Sequence, residues 1–385
     1  MNPFPVDSIA ALPGAGPLSD RRAAAVERLA EAAMPSTEDD VWRYSRIDEL
    51  ELERLGAAGS STSVDHGDLG RVRVLRGDEA VELLGDLPDA GDAVTWLHHA
   101  LLVDPIVIDV PAGVTVNDPI VVRHAGPADA AATAVRLVVR AGADSEVQVV
   151  EVFEGGGDGL LLPATEVVAE SSARVGYVGA QILGTRAWAV GTLDLQVEAQ
   201  ATATAGLVGF GGDYTRMRTD CRLVGRGATG DLVAAFFGDG DQMLDYRTFQ
   251  DHVAPDTTSN LLFKGAVSDR SRSVYTGLIR VGKGARGTNA FQTNRNLKLS
   301  EDAWAESIPN LVIENNDVHC SHASAVGPID EEQRFYLESR GVPPVVADRL
   351  IVAGFFAEVL DRLPVPQLRE QLDAQVAAKL RAVLA

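Results

Sequence analysis

Short runs of Val, Ile and Leu alternate with polar residues between positions 106 and 316, and Gly, Asp, Ser and Ala interrupt them. An apolar–polar alternation with a period of two is typical of β-strands, because successive side chains of a strand point to opposite faces. The clearest runs span residues 135–140, 147–153, 193–198 and 274–281. Residues 101–327 are therefore predicted to form a β-structured core.

Turns rich in small residues recur through this core at a nearly regular interval. One small residue marks each turn, namely Ala143, Ala173, Ala203, Ala228, Thr258 and Ala285. Successive markers are 30, 30, 25, 30 and 27 residues apart. Such a period is typical of a solenoid, in which each lap buries its apolar side by stacking on its neighbours. We predict a mainly β protein with a right-handed parallel β-helix core. A β-sandwich is the alternative, since it also contains many short strands.

Helical patterns replace the alternation on the N-terminal side. Residues 18–34 are rich in strong helix formers, Ser19 is a candidate N-cap, and Pro35 ends the run. Residues 56–67 are rich in Ser and Gly, which predicts a mobile loop. Residues 1–100 are thus predicted to form a helical region with a mobile loop.

Residues 328–385 are predicted to form a C-terminal helical region. Asp330 begins the first helix as its cap, and Pro343 and Pro344 precede a second helix that runs to Leu363. An apolar side is predicted on this second helix from Leu350, Ile351, Phe355 and Val359. A third helix follows, with Leu368, Leu372, Val376 and Leu380 spaced four apart.

The charge and composition of the chain argue against several classes of binding partner. The 34 basic residues against 55 acidic ones give a net charge of −21, which opposes binding to nucleic acids and to anionic membranes. No stretch approaches the ~20 apolar residues needed to span a bilayer, and the N-terminus carries no export signal. We therefore expect a cytoplasmic protein that binds neither nucleic acid nor membrane.

Familiar catalytic and nucleotide-binding motifs are missing or out of context. The two G-x-G-x-x-G strings, at 225–230 and 282–287, precede strand-like sequence rather than a helix, so we interpret them as solenoid turns. No G-x-x-x-x-G-K-[ST] or H-E-x-x-H string occurs. The two cysteines, Cys221 and Cys320, are too few to hold a complete iron–sulfur cluster. The sequence predicts that this chain is not an enzyme by itself.

The segment Asp317-Val-His-Cys-Ser-His322 contains the most informative local chemistry. In an extended strand Cys320 and His322 share one face, while His319 and Ser321 point away. A thiolate and an imidazole are suitable ligands for iron or zinc, but buried cysteines and surface histidines are often merely structural. Asp251-His252 is a weaker candidate for metal or proton chemistry. The residues alone leave ligation by Cys320 and His322 open.

Residues 251–360 resemble the SufB/SufD family of SUF iron–sulfur cluster assembly proteins. The resemblance includes His252, Thr258-Ser259, Lys264-Gly265 and the runs 274–279, 292–300 and 308–314. It is strongest over the 25 residues from Asp317 to Gly341. Trp42-Arg43-Tyr44 resembles an N-terminal element of the SufD branch, whereas the middle, 106–246, matches only in character.

This resemblance implies a β-helix between helical regions, a heterodimer with a SufB-type paralogue, and docking of the SufC-type ABC ATPase on the C-terminal helices. ATP would then be handled only by the SufC partner. The family forms a transient iron–sulfur cluster at the SufB–SufD interface, so the resemblance implies that His322, with Cys320 beside it, contributes ligands shared with the partner. Phe335, Tyr336, Phe355 and Phe356 are expected to be divided between the core and the SufC contact.

The SufD branch is favoured because SufB-type chains carry a cysteine in the block that here reads Gln292-Thr293-Asn294, and a His-Glu pair where this chain has His322-Ala323. A SufB-like homodimeric scaffold and sulfur acceptor is the first alternative. A β-helix carbohydrate-active enzyme is the second, although no cluster of carboxylates supports it. The sequence leaves the cluster type and any role of a reduced flavin open.

Overall fold

A parallel β-solenoid of about eight turns forms the centre of the protein. The structure is a computed structural model that describes residues 4–14, 16–85, 87 and 90–384. It contains 43% strand and 23% helix, and helices flank the solenoid on both sides. The predicted mainly β class and parallel β-helix core are confirmed. The β-sandwich alternative is wrong, because the strands of the core pair in parallel with strands one lap away.

The strands have the following bounds: β1 Gly56–Ala57, β2 Thr62–Asp65, β3 Arg73–Arg76, β4 Ile106–Val110, β5 Ile120–Ala125, β6 Ala131–Ala141, β7 Glu146–Gly155, β8 Leu160–Ala169, β9 Arg174–Leu183, β10 Trp188–Val197, β11 Thr202–Gly209, β12 Tyr214–Leu223, β13 Thr229–Gly238, β14 Met243–His252, β15 Thr258–Val267, β16 Arg272–Val281, β17 Thr288–Lys298, β18 Trp304–Ile313 and β19 Val318–Gly327. The even sheet runs from β4 to β18 through the even-numbered strands, with β3 beside β4. The odd sheet runs from β5 to β19, with β2 beside β5.

Equivalent positions of successive laps stack in register and create columns of side chains inside the solenoid. One column runs along the odd sheet at intervals of 27 to 31 residues through Val147, Val175, Ala203, Gly230, Ser259, Ala290 and Cys320. The early laps fill the interior mainly with Val, Leu and Ala. Stacking of this kind buries the apolar side of every lap except where a lap lacks a neighbour.

One turn of each lap has a residue in the left-handed backbone region, which glycine and short polar residues adopt most readily. These residues are Asp144, Ser172, Gln200, Gly227, Asp256 and Gly287, with φ between 57° and 72°. Gly227 and Gly287 belong to the two G-x-G-x-x-G strings. Gly227 lies just before β13, and Gly287 lies directly before β17. The interpretation of these strings as solenoid turns is confirmed.

The N-terminal region contains α1 (Pro17–Glu31) and α2 (Ala93–Leu101). Ser19 is not the cap of α1, because Gly16 occupies that position and Pro17 begins the helix. The predicted loop at 56–67 contains two short strands, β1, which pairs with β6, and β2, which pairs antiparallel with β5. Pairing with the first lap outweighs the Ser/Gly-rich local composition.

The C-terminal helices are α3 (Glu331–Ser339), α4 (Pro344–Leu360) and α5 (Arg369–Val383). Asp330 caps α3 as predicted, since its carboxylate accepts hydrogen bonds from the backbone of Glu332 and Gln333. Helices α4 and α5 pack on the outer face of the odd sheet. No helix in the described parts of the chain is long and apolar enough to cross a membrane.

The predicted apolar side of α4 is only partly correct. Val352, Phe356 and Val359 are buried against the odd sheet, whereas Leu350 is 52% exposed. Nearly every position of α4 from Val345 to Phe356 is apolar, so the pattern does not define which side faces the core.

Candidate functional site

The C-terminal end of the solenoid is open. Strand β18 pairs only with β16 and β19 pairs only with β17, and the other edges of both strands have no strand partner in the described residues. Apolar side chains are exposed on this last lap, namely Trp304, Val312, Ile313 and Val326. A lap with unpaired edges and exposed apolar groups is a surface suited to pairing with another chain.

Cys320 and His322 lie on the inner side of β19, at the mouth of this open end. In the register of the odd sheet Cys320 stacks on Ala290 and His322 stacks on Gln292, and both of these β17 residues are buried inside the solenoid. Cys320 packs against the apolar cluster around Ala290, while His322 is exposed. His319 is also exposed but lies on the opposite face of the strand.

The thiol of Cys320 is only partly buried. Burial raises its pKa, and a hydrogen bond with the backbone of Ala290 opposes that rise. Among the residues that the structure describes, no group of three or more His, Cys, Asp or Glu side chains could hold a metal ion. Cys320 and His322 therefore offer an incomplete ligand set, and their role as ligands stays a prediction.

Three buried amides lie directly beneath the mouth, and we name Gln292, Asn294 and Asn296 the polar floor. Asn296 donates a hydrogen bond to Asn294 over 2.8 Å. Both amide atoms of Gln292 and the Oδ1 of Asn296 lack partners in the described part of the protein. The sequence signal for this polar floor is the amide at every second position of Gln292-Thr-Asn-Arg-Asn296, which the resemblance and the missing cysteine do not reveal.

Two further residues considered from the sequence, His252 and Cys221, are buried. His252 is buried, with Nδ1 2.8 Å from the Thr257 hydroxyl and Nε2 2.9 Å from the Ser259 hydroxyl, and burial lowers its pKa to about 4. Cys221 is fully buried inside the solenoid, and burial raises its pKa to about 12. Both ring nitrogens of His252 are occupied, and the Cys221 thiol is held in its unreactive protonated form.

The C-terminal helices present an exposed apolar surface on the outer side of the odd sheet. We name it the helical surface and define it by Phe335, Tyr336, Val345, Val346 and Leu350, of which Phe335 and Tyr336 are 72% and 57% exposed. A groove of about 800 Å³ lies between α3 and α4 beside these residues. Exposed aromatic groups beside a groove are typical of protein-binding surfaces.

The other two aromatic residues predicted for partner contact pack inward. Phe356 is fully buried and stacks on Phe237 with ring centroids 6.0 Å apart. Phe355 is partly buried, and the ammonium group of Lys264 lies 4.5 Å from its ring centroid. The four aromatic residues are thus divided between core and surface, and the binding of a partner by Phe335 and Tyr336 stays a prediction.

Comparison with known proteins gives consistent matches. Residues 123–355 match the family model described as SUF system FeS cluster assembly, SufBD core domain. An iron–sulfur cluster assembly SufBD family protein of Mycobacterium tuberculosis is 34% identical over 371 residues, which cover 90% of this chain and 89% of that protein.

Two proteins named SufD are also similar. The iron–sulfur cluster assembly protein SufD of Bacillus subtilis is 29% identical over 298 residues, covering 75% of this chain and 67% of that protein. The protein of the same name from Escherichia coli is 35% identical over 187 residues, covering 49% of this chain and 44% of its own length.

Proposed function

This chain belongs to the SufBD family of SUF iron–sulfur cluster assembly proteins, and from that premise we propose that it acts as a SufD-type, non-catalytic subunit. In this role it pairs with a SufB-type paralogue through the open end of the solenoid. A transient iron–sulfur cluster then forms between the two subunits. The observation that carries the proposal is the position of Cys320 and His322 on the last lap, whose outer strand edges have no strand partner in the described residues.

The open end supports a shared site in two ways. The unpaired edges of β18 and β19 offer backbone hydrogen bonds to a second chain, and burial of Val312, Ile313 and Val326 would stabilise the contact. Cys320 and His322 supply a sulfur and a nitrogen donor, both suited to iron, but too few to hold a cluster. The partner subunit supplies the remaining ligands.

The first experiment tests His322 within the complex. His322→Ala is co-expressed with the SufB-type and SufC-type partners, and iron and sulfide are measured in the purified complex. We expect normal assembly of the three subunits with a lower cluster content, because the substitution removes a ligand from an exposed position. His319→Ala is the matched control, since it changes an exposed histidine of the same strand on the opposite face. Equal cluster content in wild type and His322→Ala would show that the ligand role is wrong.

We further propose that a SufC-type ABC ATPase docks on the helical surface, so that ATP is handled only through that partner. Tyr336→Ser and Leu350→Ser change exposed side chains, and each should weaken SufC binding by about tenfold or more if it is a central contact. Val253→Ser is the control, because Val253 is comparably exposed on a solenoid turn. Binding that is unchanged in both helix variants would refute this docking site.

A SufB-like homodimeric role is the second candidate, and the access of solvent to Cys320 at the open end favours it. Cys221 cannot serve as the acceptor in that role while it is fully buried. The test is sulfur transfer from a cysteine desulfurase, followed by mass spectrometry of the intact chain. Persulfide on Cys320 that is formed without a partner subunit would favour the SufB-like role over the SufD-type role.

A further inference from the structure

A cavity of about 370 Å³ lies between the N-terminal region and the outer face of the even sheet, far along the chain from β18 and β19. Helix α2 and the segment around Trp42 form one wall, and β6, β8, β10 and β12 form the other. Its volume is within the range of small-molecule sites, and Val94, Leu162, Pro163 and Val190 contribute apolar lining. We propose that this cavity binds a small uncharged molecule that carries a carboxamide or an equivalent pair of N–H donor and carbonyl acceptor.

The acceptor side of the site is His98. Its Nδ1 lies 2.9 Å from the carbonyl oxygen of Leu162, and since a carbonyl can only accept, Nδ1 carries the proton. Burial lowers the pKa of His98 to about 3, so the ring is neutral and Nε2 presents a lone pair. That Nε2 is buried and has no hydrogen-bond partner among the described residues. A ligand N–H group would satisfy it.

His99 adds a second unsatisfied imidazole nitrogen. Its ring meets that of His98 edge to face with centroids 5.2 Å apart, and its Nδ1 has no partner within the described structure. Burial lowers the pKa of His99 to about 2, so this ring is also neutral. Two buried polar rings with unmade hydrogen bonds are costly to the fold, because each unsatisfied nitrogen has lost the hydrogen bonds that it makes with water. Occupancy of the cavity by a polar molecule would offset that cost.

The donor side of the site is Arg136. Its terminal nitrogen donates to Glu166 over 2.9 Å, but its buried Nε has no acceptor in the described residues. Arg136 lies close enough to His98 to lower the pKa of that ring further. A ligand carbonyl facing Nε beside an N–H group facing His98 would satisfy both residues at once. This pairing of donor and acceptor is the reason for the carboxamide class.

The charges around the cavity disfavour an anionic ligand. Each of the three guanidinium groups in the lining already has a carboxylate partner: Arg136 with Glu166, Arg216 with Asp245, and Arg218 with Asp220. The lining also includes the carboxylates of Asp92 and Asp194. Positive charge is therefore compensated, and an added anion would face these carboxylates without a free cation in the described lining.

The test uses benzamide as the probe, with benzoate and methyl benzoate as matched controls that lack the N–H donors. Binding to the full-length protein is measured by isothermal titration calorimetry. We expect benzamide to bind and both controls to bind at least about tenfold more weakly, as the loss of one hydrogen bond to a buried acceptor predicts. No benzamide binding, or equal binding of benzoate, would overturn the proposal.

Substitutions in the lining test whether benzamide binds in this cavity. In His98→Asn the side-chain amide retains a donor for the Leu162 carbonyl but removes the Nε2 acceptor, so we expect about tenfold weaker benzamide binding. His66→Asn is the control, because His66 is exposed and its Nδ1 likewise contacts a backbone carbonyl. Ala164→Leu narrows the cavity from the β8 side and should abolish binding even if His98→Asn fails to fold. Unchanged binding in Ala164→Leu, or a benzamide-soaked crystal with only ordered water in the cavity, would overturn the proposal.

Discussion

The two ends of the solenoid differ in how the stacking of laps stops. At the N-terminal end β3 lies antiparallel on β4 and β2 lies antiparallel on β5, and Val64 and Val74 of these strands pack against the interior. At the C-terminal end β18 and β19 have no such cover in the described residues. A reversal of strand direction prevents the parallel coil from continuing. The chain therefore covers one end with its own strands, and the other end has no strand cover in the described residues.

The side chains inside the solenoid also differ between the two ends, because apolar residues give way to polar ones toward the C-terminal end. The position occupied by Leu232 and Leu261 in two consecutive laps becomes Gln292 in the next lap and His322 in the last. Apolar residues in a stacked core contribute stability, whereas buried amides without partners reduce it. The closed end is thus filled with stabilising apolar side chains, whereas the open end carries polar side chains that add less to stability.

The largest predicted effect is at the closed end. Ile108 of β4 is fully buried beneath Val74, so Ile108→Ala should lower the free energy of unfolding by about 2–5 kcal/mol. Urea denaturation followed by circular dichroism measures this change. A loss below about 1 kcal/mol would mean that β3 does not seal the first lap, since exposed sites have effects of that size or less.

An intermediate effect of opposite sign is predicted for the polar floor. Gln292→Met replaces a buried amide whose two polar atoms lack partners by an unbranched apolar group of similar size. Urea denaturation should show stabilisation of the isolated chain by about 1–2 kcal/mol. Cluster content of the co-expressed complex should fall, because a polar group beneath His322 is lost. Destabilisation instead would indicate that the amide is satisfied in the native protein, for example by ordered water.

The smallest predicted effect on the isolated chain is at the open mouth. Val326 stacks on Asn296 but is 41% exposed, so Val326→Ala should change the free energy of unfolding by no more than about 0.5 kcal/mol. The same variant should weaken pairing with the SufB-type subunit, measured by calorimetry. A large destabilisation of the free chain would show that the mouth is already covered without a partner.

The sequence predicts the solenoid well because its period is repeated in every lap. Ala173 and Ala228 lie directly after the left-handed turn residues Ser172 and Gly227, whereas Ala203 and Thr258 lie within β11 and β15 rather than in turns. The small-residue interval therefore follows the lap length closely without marking the same position in every lap. The sharing of one strand face by Cys320 and His322 likewise depends only on strand alternation. Features that repeat in sequence, or that follow from the geometry of one strand, are accessible without a structure.

Features that depend on contacts between distant segments were not accessible. Trp42 is buried beneath the guanidinium of Arg216, whose central carbon lies 4.2 Å from the ring centroid. Arg216 also donates to the backbone carbonyl of Val41, and Arg247 donates to that of Arg43. These contacts join residues more than 170 positions apart, and no local pattern encodes them. The cavity beside His98 was missed for the same reason.

The antiparallel cover formed by β2 and β3 also limits how many other chains can stack on the ends of the solenoid. A solenoid with two exposed ends could stack head to tail without limit and grow into a filament, as heterologous contacts that do not close generally do. A solenoid with one exposed end can join only one other such end, so assembly through this contact stops at two chains. The four-residue strands Thr62–Asp65 and Arg73–Arg76 would thereby limit an assembly through the open end to two chains.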